Sequence, residues 1–377
     1  MDALWSRRLV LGALLATPPW LQAGDAETPY TLQRRALRFP ADHGSHPDSR
    51  TEWWYMTGWL RDAQDRLLGF QITFFRSRVD GTQRLSSRLA ARQLLFAHAA
   101  ITDVTARRFV HEQTMTRWNG RPDDSTSAHE RAFARQTDTH IRLPGWDLQR
   151  HDGGRYEVRL QQGTLDMLLQ AQPSQALLLQ GEAGWSRKGP EATQASFYYS
   201  QPQLAIEGRV SIEGQTRQVR GRAWLDHEWS EALLHPQAVG WDWIGINLHD
   251  GSALTAFRLR RADGSALWAG GSFRRAGSSA SRTPDQVFGP SAVAFLPQRH
   301  WSSPTTGIRY PVEWQIQTPA GVFRVKPLLD AQELDSRPTT GAIYWEGLCE
   351  LYRAGNDESV GLGYLEMTGY GERIRLG

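Results

Sequence analysis

From Glu52 onward, apolar and polar side chains alternate with a period of two, broken by short turn signals, and this pattern leaves room for little but antiparallel sheet. Trp53-Trp54-Tyr55-Met56-Thr57-Gly58-Trp59-Leu60 reads as a strand, Arg61–Arg66 as a turn, and Leu67–Phe75 as the hairpin partner. Further strands are expected near 95–103, 107–114, 156–161, 164–170, 176–180, 203–213 and 216–226, then at 240–249, 252–261, 265–274, 311–317, 321–326, 342–351 and 360–370. Asp250-Gly251 and Asp263-Gly264 supply hairpin turns. Many short strands at regular spacing indicate an all-β sandwich or barrel. Helical spacing is best at Arg84–Leu95, and Asp123–Arg131 and Ala276–Pro284 read as exposed loops. Leu234–Val239, which contains Pro236, is the expected boundary between a first domain over 27–234 and a second over 235–377.

The N-terminus has the layout of an export leader. Ser6-Arg7-Arg8 precedes a short apolar run, Leu9–Ala16, and small residues follow, with cleavage expected after Ala23 or Ala26. The paired arginines point to the twin-arginine route and a periplasmic destination. The run is far below the roughly 20 apolar residues that span a bilayer, so no stable span is expected in the mature form. The chain has 43 basic and 40 acidic residues, a net charge of +3, and no basic run that would follow a nucleic-acid backbone. Lys188 and Lys326 are its only lysines. Cys349 is the single cysteine, which excludes an internal disulfide and a cysteine-based zinc site; no metal is expected. Gly361-Leu362-Gly363-Tyr364 lacks the context of a phosphate loop, and no Gly-x-Ser-x-Gly elbow is present.

The stretch 221–248 concentrates ionisable residues among tryptophans: Trp224-Leu225-Asp226-His227-Glu228-Trp229, then Gly240-Trp241-Asp242-Trp243. In a strand, His227 shares a face with Leu225 and Trp229, and Asp226 shares the opposite face with Glu228. Charge in an apolar setting is costly unless it is paired or used.

Five ordered blocks resemble the AttH family, which includes the bacterial carotenoid 1,2-hydratases. They are His46-Pro47-Asp48 with Glu52-Trp53-Trp54-Tyr55, Phe96-Ala97-His98-Ala99-Ala100-Ile101-Thr102-Asp103, Phe197-Tyr198-Tyr199-Ser200, Asp226-His227-Glu228-Trp229 and Gly240-Trp241-Asp242-Trp243. The resemblance implies two tandem lipocalin-like (calycin) antiparallel β-barrels. It also implies either a hydratase working without a cofactor or an exported relative linked to an ABC-type transport system. His227-x-Trp229 matches the His-x-Trp that the resemblance marks as functional in the hydratases.

Hydrating an alkene needs an acid, a group that positions water, and aromatic faces that tolerate a cation. On that reading Asp226 or Asp242 supplies the proton, His227 orients water, and Trp229 and Trp241 flank the cation. The competing reading makes Asp226, His227 and Glu228 a polar clasp between domains, with Arg222 or Glu52 as partners. Glu52, Trp54, His98 and Tyr199 divide in the same way between ligand contact and packing, and His46 with Asp48 reads as a turn or cap. The leading expectation is an exported protein that binds an apolar or amphiphilic ligand, a hydrophobic small molecule or lipid, beside an ABC transporter permease. The second is a hydratase, or a related cation or cyclisation enzyme, acting on an isoprenoid or polyene.

Overall fold

The computed structural model describes residues 32–374 apart from 88, 121–131, 232–233 and 278–284. The expected leader at 1–26 and most of the 123–131 and 276–284 loops lie outside the described residues. None of the described helices is long and apolar enough to cross a membrane.

Two sheets divide the chain. The first contains β1 (Thr51–Asp62), β2 (Leu67–Arg78), β3 (Gln93–Asp103), β4 (Arg108–Trp118), β5 (Phe133–Ala134), β6 (His140–Leu143), β7 (Trp146–Arg150), β8 (Tyr156–Gln162), β9 (Leu165–Gln172), β10 (Leu178–Leu179), β11 (Trp185–Arg187), β12 (Ala195–Ile212) and β13 (Gln215–Ser230). The second contains β14 (Gly240–Leu248), β15 (Ala253–Arg260), β16 (Ala266–Arg274), β17 (Gln286–Phe288), β18 (Ala294–Ser302), β19 (Arg309–Thr318), β20 (Gly321–Pro327), β21 (Glu333–Asp335), β22 (Ile343–Arg353) and β23 (Ser359–Met367). The main path of the first is β4-β3-β2-β1-β13-β12-β9-β8-β7-β6-β5, and that of the second is β17-β16-β15-β14-β23-β22-β20-β19-β18. Each sheet curls around its own filled core, so the architecture is a tandem of lipocalin-like barrels.

Strand alternation sets which side chains fill each barrel. In β1 and β2 the even positions Trp54, Met56, Leu60, Phe70, Ile72 and Phe74 point into the first core. In β14 and β23 the inward set is Ile244, Ile246, Leu248, Leu365 and Met367. Much of the opposite faces is buried as well. Tyr55, Trp224, Trp243, Phe257, Leu259, Leu348 and Tyr364 form a third buried cluster where the outer faces of the two sheets come together.

The helix expected at Arg84–Leu95 is not formed: β3 begins at Gln93, and the described residues before it make turns. Leu85 and Leu89 are 49% and 70% exposed, so the apolar positions that suggested a helix bury no stripe against a core.

Gly245 makes room for an aromatic at the interface. A Cβ there would sit 2.3 Å from Cη2 and 2.6 Å from Cζ2 of Trp243. Gly245→Ala is expected to cost about 1–3 kcal/mol and to displace the Trp243 indole. A urea midpoint and near-UV circular dichroism both unchanged from the parent would contradict this packing.

Candidate active site

The pleat of β13 divides the 226–229 residues between two environments. Asp226 and Glu228 face the space between the sheets, while His227 and Trp229 turn to the other side of β13 with Leu225. Two structures result, a closed polar clasp and an open cavity.

The clasp is centred on Glu52, at the start of β1. Its carboxylate accepts from Ser45 Oγ (3.1 Å), the His46 backbone N–H (2.9 Å), Arg76 Nε (2.8 Å), His46 Nδ1 (2.7 Å) and His227 Nε2 (3.0 Å). A carboxylate only accepts, so the His227 proton sits on Nε2 and Nδ1 is left for the Tyr199 hydroxyl, 3.0 Å away. The same hydroxyl lies 2.8 Å from His43 Nδ1. His46 stacks on Trp229 with ring centroids 3.7 Å apart, and Trp54 stacks on His227 at 4.5 Å. The sequence places Trp54, Tyr199, His227 and Trp229 as candidates for ligand contact or chemistry. The structure gathers all four here, fastening the 42–49 segment to β1, β2, β12 and β13.

Burial raises the Glu52 pKa, but Arg76, His46 and the His227 hydrogen bond outweigh it and hold the carboxyl well below the usual range. Burial lowers His227 to about 4. Ligand atoms of His46, Glu52 and His227 lie within 4.8 Å of one another, a spacing that a metal ion could use. The Arg76 guanidinium on the same carboxylate opposes a second cation, and the five donors already occupy its lone pairs.

The cavity, of about 350 Å³, lies between the outer faces of the two sheets. No residue of the two barrel cores lines it. Its walls are largely aromatic, with Trp53, Tyr55, Phe75, Trp241, Trp243 and Phe257 prominent. Among them stand Asp226, Glu228, Glu346, Glu366, Lys188 and His98. Asp226 accepts from Tyr198 Oη (2.7 Å), Ser200 Oγ (2.5 Å) and Trp224 Nε1 (2.6 Å). Burial nevertheless raises its pKa to about 7. Glu228 is paired with Lys188 at 2.9 Å, and the ammonium also sits 4.3 Å from the Phe257 ring centroid. One of only two lysines in an arginine-rich chain is thus a fixed cation in the cavity wall.

Glu346 on β22 and Glu366 on β23 are directly paired across the ladder. Burial pushes Glu366 up to about 7, with the charges of Asp226, Glu228 and Asp242 adding to the shift. Burial and the Glu366 charge push Glu346 well above the usual carboxylate range. Two carboxyls this close and this dry resist ionising together. Of the two, Glu366 is the less buried and is open to the cavity.

His98 and Trp241 line the same cavity. His98 Nδ1 lies 2.8 Å from Tyr344 Oη, and Nε2 lies 2.8 Å from Thr339 Oγ1. Burial lowers its pKa to about 3, with the neighbouring His111 acting in the same direction. An unfolded histidine protonates below about 6.5 while folded His98 stays neutral, so this site costs nothing above that pH. As pH falls from there toward 3 it withdraws stability at about 1.4 kcal/mol per pH unit. Urea midpoints should therefore fall less steeply with acid in His98→Gln than in the parent. Equal slopes would remove this histidine from the acid response.

Asp242 stands apart from both. It is fully buried, accepts from Arg258 Nε (2.6 Å) and Tyr370 Oη (2.8 Å), and pairs with Arg260 at 3.4 Å. Alternation sends it to the face opposite Trp241 and Trp243, so Asp226, His227 and Asp242 do not form one constellation. Glu346 and Glu366 are the residues that the sequence reading missed. A signal for them exists: Tyr344-x-Glu346 and Tyr364-x-Glu366 repeat one polar phase in two neighbouring strands.

The AttH-like family matches residues 30–370. The chain belongs to that family. No curated protein matches the sequence. Among solved structures, an AttH protein from Nitrosomonas europaea is 42% identical, with a TM-score of 0.80 over 90% of this chain and 99% of its own. Kievitone hydratase from Nectria haematococca shares the fold at 12% identity, with a TM-score of 0.66 over 89% of this chain and 94% of its own. CghA with Sch210972 does so at 11% identity, with a TM-score of 0.54 over 92% and 96%. In this AttH-like chain, the five blocks that carry the family resemblance divide between clasp and cavity, Asp242 excepted.

Proposed function

We propose that this AttH-like protein is a cofactor-independent hydratase, or a related cation or cyclisation enzyme, acting on an isoprenoid or polyene whose reacting end enters the cavity between the barrels. The observation that carries this reading is Glu366: a carboxyl with a pKa near 7, exposed to an aromatic-walled cavity and paired with a second carboxyl. A general acid works best when its pKa lies near the operating pH. Glu366 gives its proton to the less substituted alkene carbon, leaving a cation on the more substituted one. The faces of Trp241 and Trp243 and the negative charge of the carboxylates accommodate that cation. Water adds to it and returns a proton to Glu366, so the net change is addition of one water with no redox step.

Asp226 has a supporting role in this scheme. Its two oxygens are engaged by three donors, which fixes Tyr198 and Trp224 in the wall. The name of kievitone hydratase, a protein of the same fold, agrees with hydration as the reaction type. A carrier beside an ABC-type transporter would also use an apolar cavity, but it has no use for carboxyls poised near neutrality. The Arg7-Arg8 leader supports export to the periplasm, and N-terminal sequencing of secreted protein tests that part alone.

The decisive experiment supplies lycopene and shorter prenyl alkenes in isotopically labelled water. A labelled tertiary alcohol is the expected product. Tight retention of the alkene with no labelled product over many hours would return the protein to the carrier reading.

A further inference from the structure

Polar groups deep between the barrels have no partner. Tyr55 Oη, Thr57 Oγ1, both amide atoms of Gln71 and Glu346 Oε1 are buried and make no hydrogen bond. Tyr55 and Gln71 stand close enough to Glu346 to act on its carboxyl as weak donors, yet none of these atoms reaches full hydrogen-bond geometry. All four side chains are at least nine-tenths buried, at 6%, 1%, 0% and 2% exposure. Register explains their meeting: Thr57 faces Gln71 across the β1–β2 ladder, and Tyr55 lies two residues along the same outer face. Tyr55 and Glu346 belong to the cavity wall, and Gln71 lies behind them. Folds rarely leave five such atoms unpaired in one place. Those that do are offering them to a ligand or to ordered water.

We infer that Tyr55, Gln71 and Glu346 form a hydroxyl-binding subsite, which takes either the water of the reaction or an alcohol group on the ligand. The inference rests on the cavity being the substrate site. A hydroxyl has one donor and two acceptor positions. The set matches it with the Gln71 carbonyl as acceptor and the Gln71 amide N–H and the phenol as donors. The groups are neutral, since burial keeps the Tyr55 phenol protonated and Glu346 well above the carboxylate range, so a neutral partner suits them better than an ion. In the hydration scheme this subsite holds water beside the cation that Glu366 creates, and Glu346 acts as a positioning residue.

Binding can be followed without turnover, because Trp53, Trp241 and Trp243 line the cavity and report occupancy by fluorescence. Geraniol and its hydrocarbon analogue lacking the oxygen are titrated into the full-length protein and into Tyr55→Phe and Gln71→Met. Tyr55→Phe removes an oxygen that makes no full hydrogen bond in the protein, so that variant should fold as the parent does. The parent is expected to prefer geraniol by roughly tenfold, the usual value of one well-made neutral hydrogen bond. Each variant should bring the preference below about twofold and leave hydrocarbon affinity unchanged. Equal binding of the two ligands by the parent, or a preference that both variants retain, overturns the subsite and leaves the cavity reading standing. If neither ligand binds the parent, both fall together.

Discussion

Glu366→Gln is expected to fold with the stability of the parent or better and to lose roughly 10²–10⁴-fold in the rate of water addition. The amide keeps the shape of the carboxyl but has no proton to give. The variant also removes a buried carboxyl whose ionised form is disfavoured by Asp226, Glu228 and Asp242 and whose charge pushes Glu346 up, which is why no loss of stability is expected. The parent rate should fall as pH rises through about 7, as the acid form of Glu366 is lost. Activity within threefold of the parent, or a profile flat across neutrality, would remove Glu366 from the proton transfer. Asp226→Asn serves as the comparison. It loosens Tyr198 and Trp224, so it should lower substrate affinity together with the rate.

The second large effect falls on stability. Glu52 and Arg76 both have fully buried side chains, and their ion pair is the centre of the clasp. Glu52→Gln leaves the Arg76 guanidinium buried against a neutral amide and should cost about 3–5 kcal/mol in urea unfolding. Replacing both partners with apolar side chains, as in Glu52→Leu with Arg76→Met, should recover part of that loss, since no uncompensated charge remains. A single-variant cost below about 1 kcal/mol would mean that the network does not hold the 42–49 segment in place.

Much of this organisation was legible from the chain alone. Period-two alternation indicated the sheets, and the same rule correctly opposed His227 to Asp226 and Glu228. Applied one step further, it separates Asp242 from Trp241 and Trp243, so the grouping of Asp242 with Asp226 needed a correction that strand geometry itself supplies. Glu346 and Glu366 were less visible. Neither stands out from its strand, where Glu346 shares β22 with Glu350, and only the β22–β23 register sets the pair side by side. The location of the cavity was also beyond local pattern. Alternation distinguishes an inner face from an outer one, but it does not say that two outer faces will meet and enclose a site. The helix expected at Arg84–Leu95 failed because Leu85 and Leu89 stay exposed while Leu95 reaches the first core as part of β3 instead.

The pleat of β13 has a consequence for how such a protein can change. Consecutive residues on that strand serve different masters: His227 belongs to the fastening of the N-terminal segment, and Asp226 and Glu228 to the cavity wall. Inserting or deleting a single residue in the strand would exchange the two sets at once, putting imidazole where the wall needs carboxylate and carboxylate where Glu52 already sits. Point substitutions can therefore adjust the wall freely, whereas length changes in β13 are closed to it. Variation in length is expected to collect in the turns, where it shifts no side chain from one face to the other.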